Sequence, residues 1–207
     1  MSKNVVIIGQ SGAGKSSLIN MLCPGADARI SNDATGCTQE EQEYTCVLGR
    51  GKSCQVHDTI GLEEGRWGFL PDKKAQKKLK TYLKDSQKSW HLLVYCIPGS
   101  RGLKKSHARN FNKFKSMVGN RVPVVVVVTH LDQYEGPLQD WWPRNLDTLK
   151  KLDINPESTA GHACITALSR RDLERYNKGA LYNQSLQDVQ NLIRSILWPS
   201  RANRTTT

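Results

Sequence analysis

Five short apolar runs rich in β-branched residues recur along the chain: "NVVIIG" (residues 4–9), "CQVHD" (54–58), "HLLVYCI" (91–97), "VPVVVVVT" (122–129) and "ACITA" (163–167). Their apolar residues are consecutive rather than alternating, so both faces of each strand are expected to be buried, as in a parallel sheet between helices. Apolar positions at helical spacing predict helices near 15–22, 72–86, 104–118, 141–151 and 185–197. The stretch "YTCVLGRGKSCQV" breaks this rhythm. Two short strands around Gly49-Arg50-Gly51-Lys52 predict a hairpin, which adds one antiparallel edge strand. The expected architecture is a three-layer α/β domain: a mostly parallel sheet with one antiparallel edge strand and helices on both faces.

A length of 207 residues suits one well-packed domain. It is expected to span 1–198, with a polar tail over 199–207 that ends in the frayed "SRANRTTT". The long connection over 133–161 carries Trp141 and Trp142, expected to start a helix and pack on the domain, with an interaction surface as the alternative. No apolar run reaches bilayer-spanning length, and "MSKNVVIIG" enters a strand without a charged lead or cleavage site. A soluble, cytoplasmic protein with no membrane anchor is therefore expected. The six cysteines include no CxxC pair and no spaced histidine partners, which argues against a zinc site and a disulfide framework and for small core residues.

The net charge of +11 points to an anionic partner, whether nucleotide, nucleic acid or phospholipid surface. Much of the excess lies in "DKKAQKKLKTYLKDSQK" (72–88), where Ala75, Leu79, Tyr82 and Leu83 recur at helical spacing. This predicts an amphipathic helix whose lysine face is either simply solvated or makes weak contact with an anionic membrane or partner.

The chemistry concentrates in "GQSGAGKSS" (9–17), which fits GxxxxGK[ST] directly after an apolar strand and at the start of a helix. Glycines at 9, 12 and 14 would admit positive φ and close approach to phosphate. The backbone of Ser11, Gly12, Ala13, Gly14, Lys15, Ser16 and Ser17 would supply N–H groups at a helix N-terminus. Lys15 would reach the β- and γ-phosphates, and the Ser16 hydroxyl would coordinate Mg²⁺. Later motifs narrow the ligand. "VVVVVTHLD" ends in Thr129-His130-Leu131-Asp132, a variant of the [NT]KxD pattern in which Asp132 can accept both N–H donors on the guanine edge, whereas adenine presents an acceptor there. In "CITALSR", Thr166 and Ala167 stand where a backbone N–H would meet guanine O6.

Between these motifs lie "SNDATGCTQEEQEYT", a polar loop suited to a nucleotide-sensing switch, and "HDTIGLEEG". Thr38, preferred over Thr35 for its Gly36-Cys37-Thr38 spacing, would coordinate Mg²⁺ and contact the γ-phosphate. Asp58 would hold a magnesium-bound water, and the Gly61 N–H would sense the γ-phosphate. Leu62 follows Gly61, where a glutamine would orient the attacking water, so intrinsic hydrolysis is expected to be slow.

With these motifs in order over residues 3–197, the chain resembles the translation-factor-related P-loop GTPases. "GQSGAGKSSLINML", "TGCTQE", "HDTIGLE" and "THLD" look most like the septin, chloroplast-import and immunity-associated group. The resemblance implies GTP and GDP as ligands, Mg²⁺ as cofactor, slow GTP hydrolysis and nucleotide-dependent homodimerisation through the nucleotide face. Import GTPases of this group carry an arginine after the strand corresponding to residues 91–97, which makes Arg101 the candidate for an in-trans catalytic arginine, with Arg66 second. Two alternatives remain. A ribosome- or RNA-associated GTPase is suggested by the basic charge, although nucleic acid is ranked as an unlikely partner because no aromatic-basic RNA signature is present. A P-loop small-molecule kinase is disfavoured by Asp132 and the switch-like loop.

Overall fold

The computed structural model describes residues 2–26, 42–59, 73–85, 89–100 and 102–199. In chain order the elements are β1 (Asn4–Ile8), α1 (Lys15–Leu22), β2 (Gln42–Gly49), β3 (Lys52–Asp58), α2 (Lys73–Leu83), β4 (Trp90–Pro98) and α3 (Lys105–Val118). There follow β5 (Val124–Thr129), α4 (Trp141–Arg144), α5 (Leu146–Lys151), β6 (Gly161–Cys164), α6 (Arg170–Arg175) and α7 (Gly179–Leu197). The six strands form one sheet in the order β2-β3-β1-β4-β5-β6. β1 runs parallel to β3 and β4, and β4, β5 and β6 continue in parallel.

Among the described residues only β2 pairs antiparallel, to β3. The turn between them explains why: Arg50 (φ 52°) and Gly51 (φ 67°) are both left-handed, the two-residue geometry whose twist matches the flanking strands. The hairpin and its antiparallel edge strand thus stand as the sequence predicted.

Successive strand residues serve opposite layers. Val5 and Ile7 of β1 pack with Leu18, Ile19 and Leu22 of α1 and with Val189 and Ile193 of α7. Val6 and Ile8 face the other side, among Leu79 and Leu83 of α2, Phe111 and Phe114 of α3, and Trp141 and Trp142. All six residues of β5 are buried, as a central parallel strand requires. The three-layer α/β expectation is met, and Trp141 and Trp142 lie in the core.

Several local expectations need correction. The helix predicted over 141–151 is broken: Pro143 contributes no N–H, and Asn145 leaves helical geometry while its side-chain amide donates to the Trp141 carbonyl at 2.7 Å. α7 starts at Gly179 rather than 185, because the polar start hides packed residues such as the fully buried Ser185. α6 carries only Leu173 as a buried residue, so it leaves no periodic signal, yet its Ser169 cap accepts from the Asp172 N–H at 3.2 Å. β6 ends at Cys164, so residues 165–167 lie beyond the ladder.

Cys23 and Cys46 are joined as a disulfide, against the expectation that the cysteines serve only as core residues. Residues 23 apart in sequence meet because the end of α1 packs on β2, with Cα atoms 4.6 Å apart. Cys54, Cys96 and Cys164 are buried and outside the disulfide, and burial pushes the thiols of Cys54 and Cys164 up to about 12. Cys37 lies outside the described residues. No helix among the described residues is long and apolar enough to cross a membrane.

Candidate functional site

The site forms where β1, β3, β4 and β5 end on the same edge of the sheet, as parallel strands dictate. Residues 9–14 connect β1 to α1 in a tight loop, closed by the Ala13 N–H donating to the Gln10 carbonyl at 3.0 Å. Gly14 caps α1 at φ 78°, in the left-handed region, and a Cβ there would meet Thr129 at 3.1 Å. Gly9 is needed for a different reason than the one expected: its φ is not left-handed, but a Cβ would lie 2.6 Å from the Cys96 carbonyl oxygen of β4. The loop is pressed against the neighbouring strand, and only glycine fits.

α1 has no side-chain cap and no acidic residue in its first turn. Its first backbone N–H groups and the positive end of its dipole therefore face the loop without an internal counter-charge. Lys15 is 4% exposed, and its ammonium donates to the carbonyls of Gly9 and Gln10, the latter at 3.3 Å. This places a nearly buried cation across the loop. Ser16, one residue on, is also buried.

Asp58 reaches the same edge from β3. Its register partner on β1 is Ile7, and the buried Thr59 hydroxyl donates to the Ile7 carbonyl at 2.9 Å, fixing the chain just beyond Asp58 beside the loop. Thr59 was not singled out from the sequence, since nothing local signals that its hydroxyl would cross to β1. Ser16 and Asp58 offer a hydroxyl and a carboxylate, the hard oxygen donors that suit Mg²⁺ when phosphate oxygens and water complete the shell. The residue types fit the expected ion. Thr35, Thr38, Gly61, Leu62, Arg66 and Arg101 lie outside the described residues.

Behind Asp58 sits a buried aromatic group. His57 accepts or donates at Nδ1 with the Tyr82 hydroxyl of α2 at 3.1 Å and meets Trp90 edge-on, with centroids 4.9 Å apart. Burial lowers the pKa of His57, opposed by the Glu43 carboxylate 3.9 Å away.

The opposite end of the site is bound to the phosphate loop by Thr129. Its hydroxyl, fully buried, lies 2.9 Å from the Ala13 carbonyl, 3.3 Å from that of Ile97 and 2.8 Å from Nδ1 of His130. A hydroxyl has one proton, and of the two carbonyls that of Ala13 is the nearer acceptor; the direction of the contact with Nδ1 of His130 depends on the tautomer of that ring. Thr129 therefore acts as a bracket between the two motifs rather than as a surface for the base. His130 adopts φ 59°, and its ring approaches Gly14, where a Cβ would lie 3.2 Å from Cε1.

Asp132 follows, half-buried, in a loop held at two points. The Leu131 N–H donates to the Ile165 carbonyl at 3.2 Å, and the Lys178 ammonium donates to the Asp132 carbonyl at 2.7 Å. The first of these bonds joins the Asp132 loop to the segment containing Thr166 and Ala167. Within that pair the roles divide. The Thr166 N–H donates to the Ser185 hydroxyl of α7 at 3.2 Å, and its own hydroxyl accepts from the Leu168 N–H at 3.2 Å. Thr166 is thus committed internally and buried, and the adjoining half-buried Ala167 is left as the member able to present an N–H. Lys178 and Ser185 were missed from the sequence because their partners lie 46 and 19 residues away.

The structure thus brings together Ser11, Gly12, Ala13, Gly14, Lys15, Ser16 and Ser17 at the helix start, with Asp58 on one side and Thr129, His130, Asp132, Thr166 and Ala167 at the strand ends on the other.

Comparison with known proteins agrees with this geometry. GTPase Der of Sulfurimonas denitrificans is 27% identical over 153 residues, covering 74% of this chain and 29% of its own. Immune-associated nucleotide-binding protein 10 of Arabidopsis thaliana is 25% identical over 135 residues, covering 64% and 28%. The chain therefore spans less than a third of the length of these relatives. Among solved structures, an Aquifex aeolicus Era variant bound to GDP and aluminium fluoride superposes with a TM-score of 0.58 at 19% identity, over 87% of this chain and 57% of that one. Era in complex with MgGDPNP and a segment of 16S ribosomal RNA gives 0.58 at 20%, over 87% and 56%. These similarities show the shared P-loop fold. Der and the immunity-associated protein match at similar identity, so the comparisons do not single out the septin, import and immunity-associated group. The family model described as 50S ribosome-binding GTPase matches residues 4–130, more than half of the chain, and the chain belongs to that family.

Proposed function

We propose that this protein binds GTP and GDP and hydrolyses GTP slowly, acting as a nucleotide-dependent switch. The observation that carries this reading is the Thr129 bracket. It fixes the Asp132 loop to the phosphate loop through a 2.9 Å bond, so base reading and phosphate binding share one rigid frame. Lys15 and the α1 N–H groups hold phosphate oxygens, Ser16 and Asp58 hold Mg²⁺, and Asp132 with the Ala167 N–H reads the guanine edge. Thr38 and Gly61 complete the γ-phosphate contacts. Mg²⁺ supplies charge neutralisation between the phosphates when bound.

Slow turnover follows from Leu62, which cannot orient water. Self-association through the nucleotide face, with Arg101 donated in trans, would restore transition-state charge. A protein of this composition would act in the cytoplasm, and contact with anionic membrane would be weak and reversible. A second reading, an RNA-associated GTPase, gains support from the ribosome-binding description of the family and from the Era complex with ribosomal RNA. Nucleic acid is therefore retained as a partner class despite its low rank from sequence. Calorimetry with Mg²⁺ tests the main reading: GTP and GDP bind at least about a hundredfold more tightly than ATP, since the unpaired Asp132 carboxylate would face an adenine acceptor. Equal affinities for ATP and GTP would return the kinase reading.

A further inference from the structure

Some exposed cations sit beside carboxylates: Arg144 near Asp140, Arg170 near Glu174 and Arg175 near Asp172, at 3.4–4.0 Å. Others, such as Arg50, Arg121 and Lys151, are scattered singly, whereas one face gathers its cations together. On or just after α2, Lys77, Lys78, Lys80 and Lys84 are exposed, and on or just before α3 so are Lys104, Lys105 and Arg109. None of these seven makes an ion pair among the described residues. α2 and α3 pack against each other on the same side of the sheet. Over 73–85 and 104–118 there is a single carboxylate, Asp85. Unpaired like charges on neighbouring helices repel and cost stability, so the arrangement needs an external anion to be favourable.

The apolar residues of both helices narrow the choice of anion. Leu79, Tyr82 and Leu83 of α2 and Ala108, Phe111 and Phe114 of α3 are buried in the core. None is left to insert into a bilayer or to stack on an unpaired base. What remains is a surface that reads phosphate charge and shape alone, over helices about 16 and 21 Å long. We propose that the α2–α3 face docks the phosphate backbone of an RNA duplex. Double-helical RNA is recognised through its backbone and shape, and its dense line of phosphates releases more counterions than a sparsely charged bilayer. The face adjoins the nucleotide site, since Tyr82 of α2 is bonded to His57, the neighbour of Asp58. The proposal deepens the RNA-associated reading, but its test needs no nucleotide turnover, so failure of one leaves the other standing.

The test is fluorescence anisotropy of a labelled RNA hairpin duplex against salt, with phosphatidylserine vesicles as a second arm. The wild-type chain should bind RNA with a steep salt dependence. The variant Lys77→Glu/Lys80→Glu/Lys84→Glu should lose at least about tenfold in affinity, and its slope of log K against log salt should be shallower by roughly two. Arg170→Glu/Arg175→Glu, on α6, should bind as the wild type does. If the triple variant unfolds at a lower temperature than the wild type, Lys105→Gln/Arg109→Gln replaces it and should also weaken binding. RNA affinity unchanged in a folded variant, salt-insensitive binding, or binding to vesicles but not to RNA would each overturn the assignment.

Discussion

At the scale of single residues, the site depends on groups that hold others in place. Replacing Thr129 with valine keeps its volume and removes the hydroxyl that joins Ala13 to His130. The loss of these buried hydrogen bonds, about 1 kcal/mol each, predicts GDP affinity down by at least roughly fivefold with little change in the far-ultraviolet circular dichroism spectrum. Lys15→Ala should abolish tight binding, because it removes a nearly buried cation from the phosphates; equilibrium dialysis with labelled GDP reads this directly. His107 carries a pH signature. It is 4% exposed, its Nδ1 accepts from the Lys104 N–H at 3.2 Å, and burial, helped by the Lys104 charge, lowers its pKa below the usual value near 6.5. The unfolded chain therefore binds the proton more readily than the folded one. Stability is full above the unfolded value and declines as pH falls below about 6.5, toward the depressed folded value. The unfolding midpoint should drop between pH 7.5 and 5.5, and less so in His107→Gln.

At the scale of elements, the disulfide links the end of α1 to β2, across a segment that includes the expected switch threonines. Closing a loop of this size stabilises by roughly 3 kcal/mol, so reducing it, or making Cys23→Ala/Cys46→Ala, should lower the melting temperature by roughly 5–10 °C in a scanning calorimeter. This link also shows what the sequence leaves unwritten. The phosphate loop, the Asp132 motif and the hairpin were legible because each is a contiguous run whose backbone chemistry is local. The Cys23–Cys46 bond, the Thr59 bond to Ile7, the Lys178 bond to Asp132 and the Ser185 bond to Thr166 all form between segments distant in the chain. Ser185 and Lys178 sit in a polar stretch that reads as solvent-facing until the fold sets α7 against β6.

At the scale of the whole molecule, two layers of helices bury the sheet and leave one edge for the ligand, so any partner that completes catalysis must approach that edge. If Arg101 acts in trans, specific GTPase activity should rise with protein concentration, and Arg101→Ala should flatten the rise while leaving GDP affinity intact. Turnover per molecule that stays constant from dilute to concentrated solution would instead indicate a slow timer that awaits a separate activator. The central claim, that one frame reads guanine and binds phosphate, is tested most directly by a specificity swap. Asp132→Asn exchanges an acceptor for an amide donor, which suits the 2-carbonyl of xanthine and not the amine of guanine. In competition against a fluorescent nucleotide, the account predicts that the variant loses about tenfold to a hundredfold in affinity for GDP and gains affinity for XDP, while its phosphate loop is untouched. Unchanged GDP affinity in the folded variant would contradict it.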